Sequence, residues 1–157
     1  MELSREQQIA FDKYVEGHNI FITGPGGVGK SALIKKIYEH ANRRSKNICV
    51  TAMTGCAAVL LSCKAKTTDI LVIDEISMLS LKLFETLDLI GKNIRNCQKP
   101  FGGIQLIFSG DFYQLPPVGD RDDPDTIKFC FESNEWNSVF HRNCQIQLTK
   151  IYRQTDE

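Results

Sequence analysis

The sequence predicts a three-layer α/β fold, with a mainly parallel central sheet covered by helices on both faces. Three observations carry that prediction. Segments with strand character alternate with segments of helical periodicity along the chain. The strand segments are apolar at successive positions, as in Asp69-Ile70-Leu71-Val72-Ile73-Asp74, so both of their faces are covered. A glycine-rich loop, Gly24-Pro25-Gly26-Gly27-Val28-Gly29-Lys30-Ser31, joins the first strand to the helix after it.

The elements follow in order. Ser4 caps a helix whose third residue is Gln7, a capping-box spacing. Phe11, Tyr14, Val15 and His18 recur along it at helical spacing, and Gly17 to Asn19 ends it. Asn19 to Thr23 is a short buried strand. The helix from Lys30 carries Leu33, Ile34, Ile37, Tyr38 and Ala41 on its apolar side. Asn47 to Thr51 is the second strand, and Gly55 to Ser62 the helix after it. Asp69 to Asp74 is the third strand. Leu83, Phe84, Leu87, Ile90 and Ile94 mark the next amphipathic helix, and Gly103 to Phe108 the fourth strand. Ile127 to Phe131 and Gln145 to Leu148 are weaker strand candidates, with a helix near Trp136 between them.

The bulk numbers set limits. A length of 157 residues suits one domain with a real core. No apolar run approaches the ~20 residues of a membrane span, and the N-terminus lacks the pattern of a secretory signal. Six scattered cysteines form no C-x-x-C pair and read as reduced thiols of an intracellular protein. The formal net charge is zero, so the chain is not the strongly basic domain that would announce nucleic acid, and small basic clusters such as Lys35-Lys36 and Arg43-Arg44 read as solvated surface. The acidic run Asp120, Asp122, Asp123, Asp125 lacks the glycine and closing glutamate of a calcium loop and reads as solvated.

In a parallel sheet, ligands bind beyond the carboxyl ends of the strands, where the chemistry-bearing residues fall. Residues 24–31 follow the pattern G-x-x-x-x-G-K-S. Its glycines, Gly24, Gly26, Gly27 and Gly29, with Pro25 and Val28, let successive N–H groups point at phosphate oxygens. The following helix adds the positive end of its dipole. Lys30 would reach the β- and γ-phosphates of ATP, and Ser31 would supply a hydroxyl to Mg²⁺. Asp74, ending a buried strand, would hold Mg²⁺ directly or through water, and Glu75 would orient and deprotonate an attacking water. Gln114, in Ser109-Gly110-Asp111-Phe112-Tyr113-Gln114-Leu115-Pro116-Pro117, would hydrogen-bond the γ-phosphate or that water.

Together these stretches resemble the Pif-type DNA helicases of superfamily one, over nearly the whole chain and in order. Leu3-Ser4-x-Glu6-Gln7 resembles the family's adenine-reading motif. Residues 24–31 match its Walker A, and Ile73-Asp74-Glu75-Ile76-Ser77-Met78-Leu79 its Walker B. Thr51-Ala52-x-Thr54-Gly55-x-Ala57-Ala58 resembles motif Ia. Phe101-Gly102-Gly103-x-Gln105 with Gly110-Asp111-Phe112-x-Gln114-Leu115-Pro116-Pro117-Val118 matches motif III. Leu148-Thr149-Lys150-x-x-Arg153-Gln154 resembles motif IV.

The resemblance implies a RecA-like P-loop NTPase lobe in an ATP-dependent helicase moving 5′ to 3′ on single-stranded DNA. Forked or tailed DNA would be the partner, the lobe a monomer in isolation, and no membrane involved. It implies that Gln7 reads adenine, a role open beside helix capping. Gln114 would couple the γ-phosphate to DNA, and Arg153 would stabilise charge in the transition state. Thr54 and Gly55 would contact the phosphates of single-stranded DNA. The compartment implied is a nucleus or mitochondrion in a eukaryote, with viral or bacterial origin equally open. Two departures stand out. The long segment that the family carries between motif Ia and Walker B is missing here between residues 68 and 69, and so is the second motor lobe. A nucleotide-gated DNA- or protein-binding module is the alternative reading. A small-molecule kinase is a third, which the Asp74-Glu75 pair disfavours.

Overall fold

The computed structural model describes residues 2–152. Among them, five strands form one sheet: β1 (Ile20–Thr23), β2 (Ile48–Ala52), β3 (Ile70–Asp74), β4 (Gln105–Gly110) and β5 (Gln145–Gln147), in the order β2-β3-β4-β1-β5. Every neighbouring pair is parallel. The helices are α1 (Arg5–Val15), α2 (Lys30–Arg43), α3 (Cys56–Leu61), α4 (Leu81–Arg95) and the single turn α5 (Trp136–Val139).

Residue alternation along the strands divides the core into two layers. Ile20, Ile22, Val72 and Ile107 face α1 and α2, where Ala10, Tyr14, Leu33 and Ile37 pack on them. Phe21, Leu71, Ile73, Leu106 and Phe108 face the opposite way, against Leu60, Phe84, Leu87, Trp136 and Phe140. The doubly apolar strands of the sequence are thus covered on both sides. β2, at the sheet edge, is only half covered, and Val50 on it is exposed.

The capping box is present as the spacing predicts. Ser4 Oγ accepts from the Gln7 N–H at 3.2 Å, and Gln7 Oε1 accepts from the Ser4 N–H at 2.9 Å. The expected strand over Ile127 to Phe131 does not form. Phe129 makes one isolated antiparallel bridge to Ser80, and Cys130–Glu132 is a 3-10 turn. The alternating aromatics there pack as a cluster instead, Phe129 and Phe131 stacked 5.2 Å apart and both meeting Phe112 edge-on. The fourth strand also begins later than expected. Phe101, Gly102 and Gly103 all have left-handed φ, and the ladder starts at Gln105.

Register places the carboxyl ends of the strands together. Thr23 sits beside Gly110 on one side and Gln147 on the other, and Ala52 pairs with Asp74. The segments after each strand therefore emerge at one edge of the sheet.

Candidate nucleotide site

Residues 24–29 leave β1 as a loop, and α2 starts at Lys30. The loop's own carbonyls hold the Lys30 ammonium, which donates to Gly24 O and, at 2.9 Å, to Pro25 O. Partial burial pulls Lys30 below the ordinary lysine value, while the negative charges of Asp111 and Asp74 push it back up. The three charged groups thus share one electrostatic neighbourhood, although they come from the carboxyl ends of three different strands. Ser31 is exposed in the first turn of α2.

Asp74 ends β3 half-buried, and its Oδ1 accepts from the Glu75 N–H at 2.8 Å. Glu75 has a left-handed backbone (φ 58°, ψ 40°), a conformation that costs a non-glycine residue on the order of 1 kcal/mol or more. The turn directs the chain into the buried pair Ile76 and Ser77 while Glu75 itself stays exposed. Gly110 makes room for that turn, since a Cβ there would meet the Ile76 N and Cγ1 at 3.0 Å. The end of β4 and the acidic turn after β3 are therefore in direct contact.

β4 lies between β1 and β3 in the sheet. The loop that follows it consequently emerges between the phosphate loop and the acidic pair. Asp111 shapes the loop: its Oδ1 accepts from the Tyr113 N–H at 3.0 Å and its carbonyl from the Gln114 N–H at 3.0 Å. Phe112 anchors it in the core against Phe21. Gln114 is exposed at the tip, flanked by Tyr113, fully exposed, and Leu115.

A cavity of about 480 Å³ opens along residues 26–32, with Tyr152 as its remaining wall. Gln7 is fully buried beside it. Its Nε2 donates to Gly29 O at 3.2 Å, and its Oε1 also accepts from the Tyr152 hydroxyl at 3.1 Å. Gln7 thus caps α1 and touches the phosphate loop at once, with one amide N–H still without a partner among the described residues. Thr54 and Gly55 lie in a 3-10 turn directly after β2, at the same end of the sheet, with Thr54 exposed. Arg153 lies outside the described residues.

The first half of the motif III match lies elsewhere. Phe101, Gly102 and Gly103 sit at the opposite end of β4, away from the loops. Gln105 there ties α1 down, its Nε2 donating to Tyr14 O and His18 O at 2.9 Å each. Tyr152 at the cavity wall and the charge of Asp111 beside Lys30 are features that the sequence reading did not single out. An aromatic residue directly before Arg153 was the available signal for the first, and the aspartate following the fourth strand for the second.

With this geometry, the relatives are informative. The PIF1-like helicase family model matches residues 2–68 and 62–157, two stretches that overlap. The ATP-dependent DNA helicase RRM3 of Saccharomyces cerevisiae is 35% identical over 188 residues, an alignment longer than the chain itself, covering 98% of this chain and 26% of the yeast protein. The chain spans about a quarter of the length of such curated relatives. A crystal structure of Pif1 helicase from Candida albicans superposes with TM-score 0.82 at 33% identity, over 100% of this chain and 42% of that one. Pif1 from Bacteroides in complex with ADP-AlF3 and ssDNA gives TM-score 0.80 at 28% identity, over 99% of this chain and 44% of that one. An α/β chain with a wholly parallel sheet, a complete phosphate loop and these relatives belongs to the PIF1-like helicase family.

Proposed function

We propose that this chain is the first RecA-like ATPase lobe of an ATP-dependent DNA helicase. The observation that carries the reading is the convergence of Lys30, Asp74-Glu75 and the Asp111–Gln114 loop at one end of the sheet, with β4 between the other two strands. ATP would lie along residues 24–31, its phosphates receiving backbone N–H groups and the Lys30 ammonium in place of the Gly24 and Pro25 carbonyls. Tyr152 stands at the wall of the same cavity, where its aromatic face suits a purine base, and Gln7, buried behind that wall and bonded to Gly29 O and the Tyr152 hydroxyl, would offer its remaining amide N–H to the adenine edge.

Magnesium fits the residues present. The exposed Ser31 hydroxyl and Asp74, whose Oδ2 has no partner among the described residues, are hard oxygen donors. When bound, the ion would neutralise charge on the phosphates. Glu75 would orient and deprotonate the attacking water, and exposed Gln114 would sense the γ-phosphate. Arg153 would add positive charge as the transition state forms. Thr54 and Gly55 would meet the phosphates of a single strand by hydroxyl and backbone N–H.

The relatives' names support DNA as the partner and ATP as the fuel. Movement from 5′ to 3′, forked or tailed substrates, a monomeric lobe and an intracellular site of action complete the proposal. No helix is long and apolar enough to cross a membrane among the described residues. Family membership leaves the small-molecule kinase without support. The overlapping family match over residues 62–68 and the 188-residue alignment support a connection shorter here than in the relatives, as the proposed missing segment between residues 68 and 69 requires. In the structure, Arg95 closes that connection, donating to Ala65 O and Thr68 O at 2.8 and 3.1 Å.

The test is strand separation of a 5′-tailed duplex by the full-length parent protein, beside its Lys30→Ala variant. Unwinding that depends on Lys30 is expected. Equal unwinding by both proteins would remove the proposal, and ATP-gated DNA binding without unwinding would favour the binding-module alternative.

A further inference from the structure

The segment after β5 has no regular structure, yet it is tied down at both ends. Leu148 N–H donates to Thr23 O at 2.8 Å, next to the start of the phosphate loop. Thr149 then gives both of its donors to one carboxylate across 143 residues of sequence. Its N–H reaches Glu6 Oε2 at 3.0 Å, and its hydroxyl reaches Glu6 Oε1 at 2.6 Å. Three residues on, Tyr152 N–H donates to Gly27 O at 2.9 Å and its hydroxyl to Gln7 Oε1 at 3.1 Å. Glu6 and Gln7 are neighbours on the first turn of α1. One helix turn therefore grips the segment twice, and the second grip sets the ring that walls the cavity.

We propose that Glu6 is a positioning residue for nucleotide binding, latching residues 148–152 so that Tyr152 stands as the base-side wall of the phosphate-loop cavity. The proposal rests on the reading of that cavity as an ATP site. The pairing requires a carboxylate. Two acceptor oxygens meet two donors of one residue, and a charged acceptor makes both bonds stronger than neutral ones. An amide of the same shape would set an NH₂ against a donor. Aspartate would keep the charge at the helix N-terminus but is one methylene short. Gln7 cannot hold Tyr152 alone, because its Oε1 is shared with the cap of its own helix.

The latched segment bonds the phosphate loop only through the Gly27 carbonyl and takes up neither the loop's N–H groups nor the Lys30 ammonium, so ATP and a base-free anion separate the latch from a general effect on folding. The measurement is the Kd of the 157-residue chain for ATP and for inorganic tripolyphosphate, each with magnesium. Glu6→Gln should weaken ATP by about tenfold and tripolyphosphate by less than about twofold, the loss of one to two charge-assisted hydrogen bonds. Glu6→Asp should behave as Glu6→Gln does. Thr149→Val should weaken ATP in the same selective way, and Thr149→Ser, which keeps both donors, should restore it. Combining Glu6→Gln with Thr149→Val should cost no more than Glu6→Gln alone. Unchanged ATP affinity in Glu6→Gln, or equal losses for both ligands, would overturn the latch while leaving the ATP site standing. A wild-type chain that binds neither ligand would overturn the ATP reading and the latch with it.

Discussion

At the scale of single residues, the site is a set of charges placed by backbone geometry. Lys30 is the cation of the loop, and its ammonium sits between its own loop's carbonyls and the fields of Asp111 and Asp74. Asp111→Asn should therefore lower the Lys30 pKa further, because burial then acts against one carboxylate fewer; ¹⁵N-resolved titration of the lysine side chain reads the change. Glu6 shifts for a different reason. The Thr149 hydroxyl, and then its N–H, stabilise the carboxylate and hold the Glu6 carboxyl below the usual glutamate range. A folded value below the unfolded one means the stabilisation is complete above the unfolded value, about 4.3, and is lost as pH falls through the folded one. Carboxyl NMR titration should show Glu6 titrating low, and Thr149→Val should move it back towards the ordinary value. The capping box, Lys30 and Asp74-Glu75 were legible in the sequence because each is a local pattern. Tyr152 and the Glu6–Thr149 pair were not, since their partners lie more than a hundred residues away and no spacing announces them.

At the scale of elements, α4 and the turn before β4 show how sequence habit and packing can oppose each other. Gly91 sits inside α4, where alanine would ordinarily stabilise a helix by roughly 0.5–1 kcal/mol. Here a Cβ at Gly91 would meet the Phe101 backbone at 2.9–3.0 Å. The turn cannot retreat easily. Phe101 is fully buried, its N–H donates to Asp88 Oδ1 at 2.8 Å, and the Arg95 Nε holds Gly102 O at 2.7 Å. Gly91→Ala should thus reverse the usual sign and destabilise by about 1–3 kcal/mol in urea unfolding, as overpacking does. The same turn explains why strand four begins at Gln105 and not Gly103: three left-handed residues cannot enter a ladder. Phe129 and Phe131 misled in the opposite direction. Alternating aromatics predict a strand, but these two stack on each other against Phe112, and tertiary packing overrode the local pattern.

At the scale of the molecule, the three-layer class was legible from strands that are apolar on both faces, while the strand order was not. Periodicity says that a strand is buried, not which strand lies beside it. That order decides which segments meet, because β4 between β1 and β3 brings the Gln114 loop between the phosphate loop and the acidic pair. The sheet is held by its aromatic layer. Phe108 is fully buried among the rings of Phe84, Phe101, Trp136 and Phe140, and Phe108→Ala should cost about 3–5 kcal/mol in the same unfolding measurement. The chain covers about a quarter of its curated relatives, and in the proposed helicase a second lobe would supply further catalytic cations to the ATP site. With cations of the arginine-finger kind worth about 10³–10⁵ in rate, the chain by itself should turn ATP over slowly and bind it weakly. Whether residues 24–31 form an ATP site is read most directly by calorimetric titration of magnesium ATP into the 157-residue chain and into its Lys30→Ala variant. Measurable binding to the first is expected, and at least about tenfold weaker binding to the second, the loss of one charge-assisted phosphate contact. Equal binding by both, or none by either, would contradict an ATP site there.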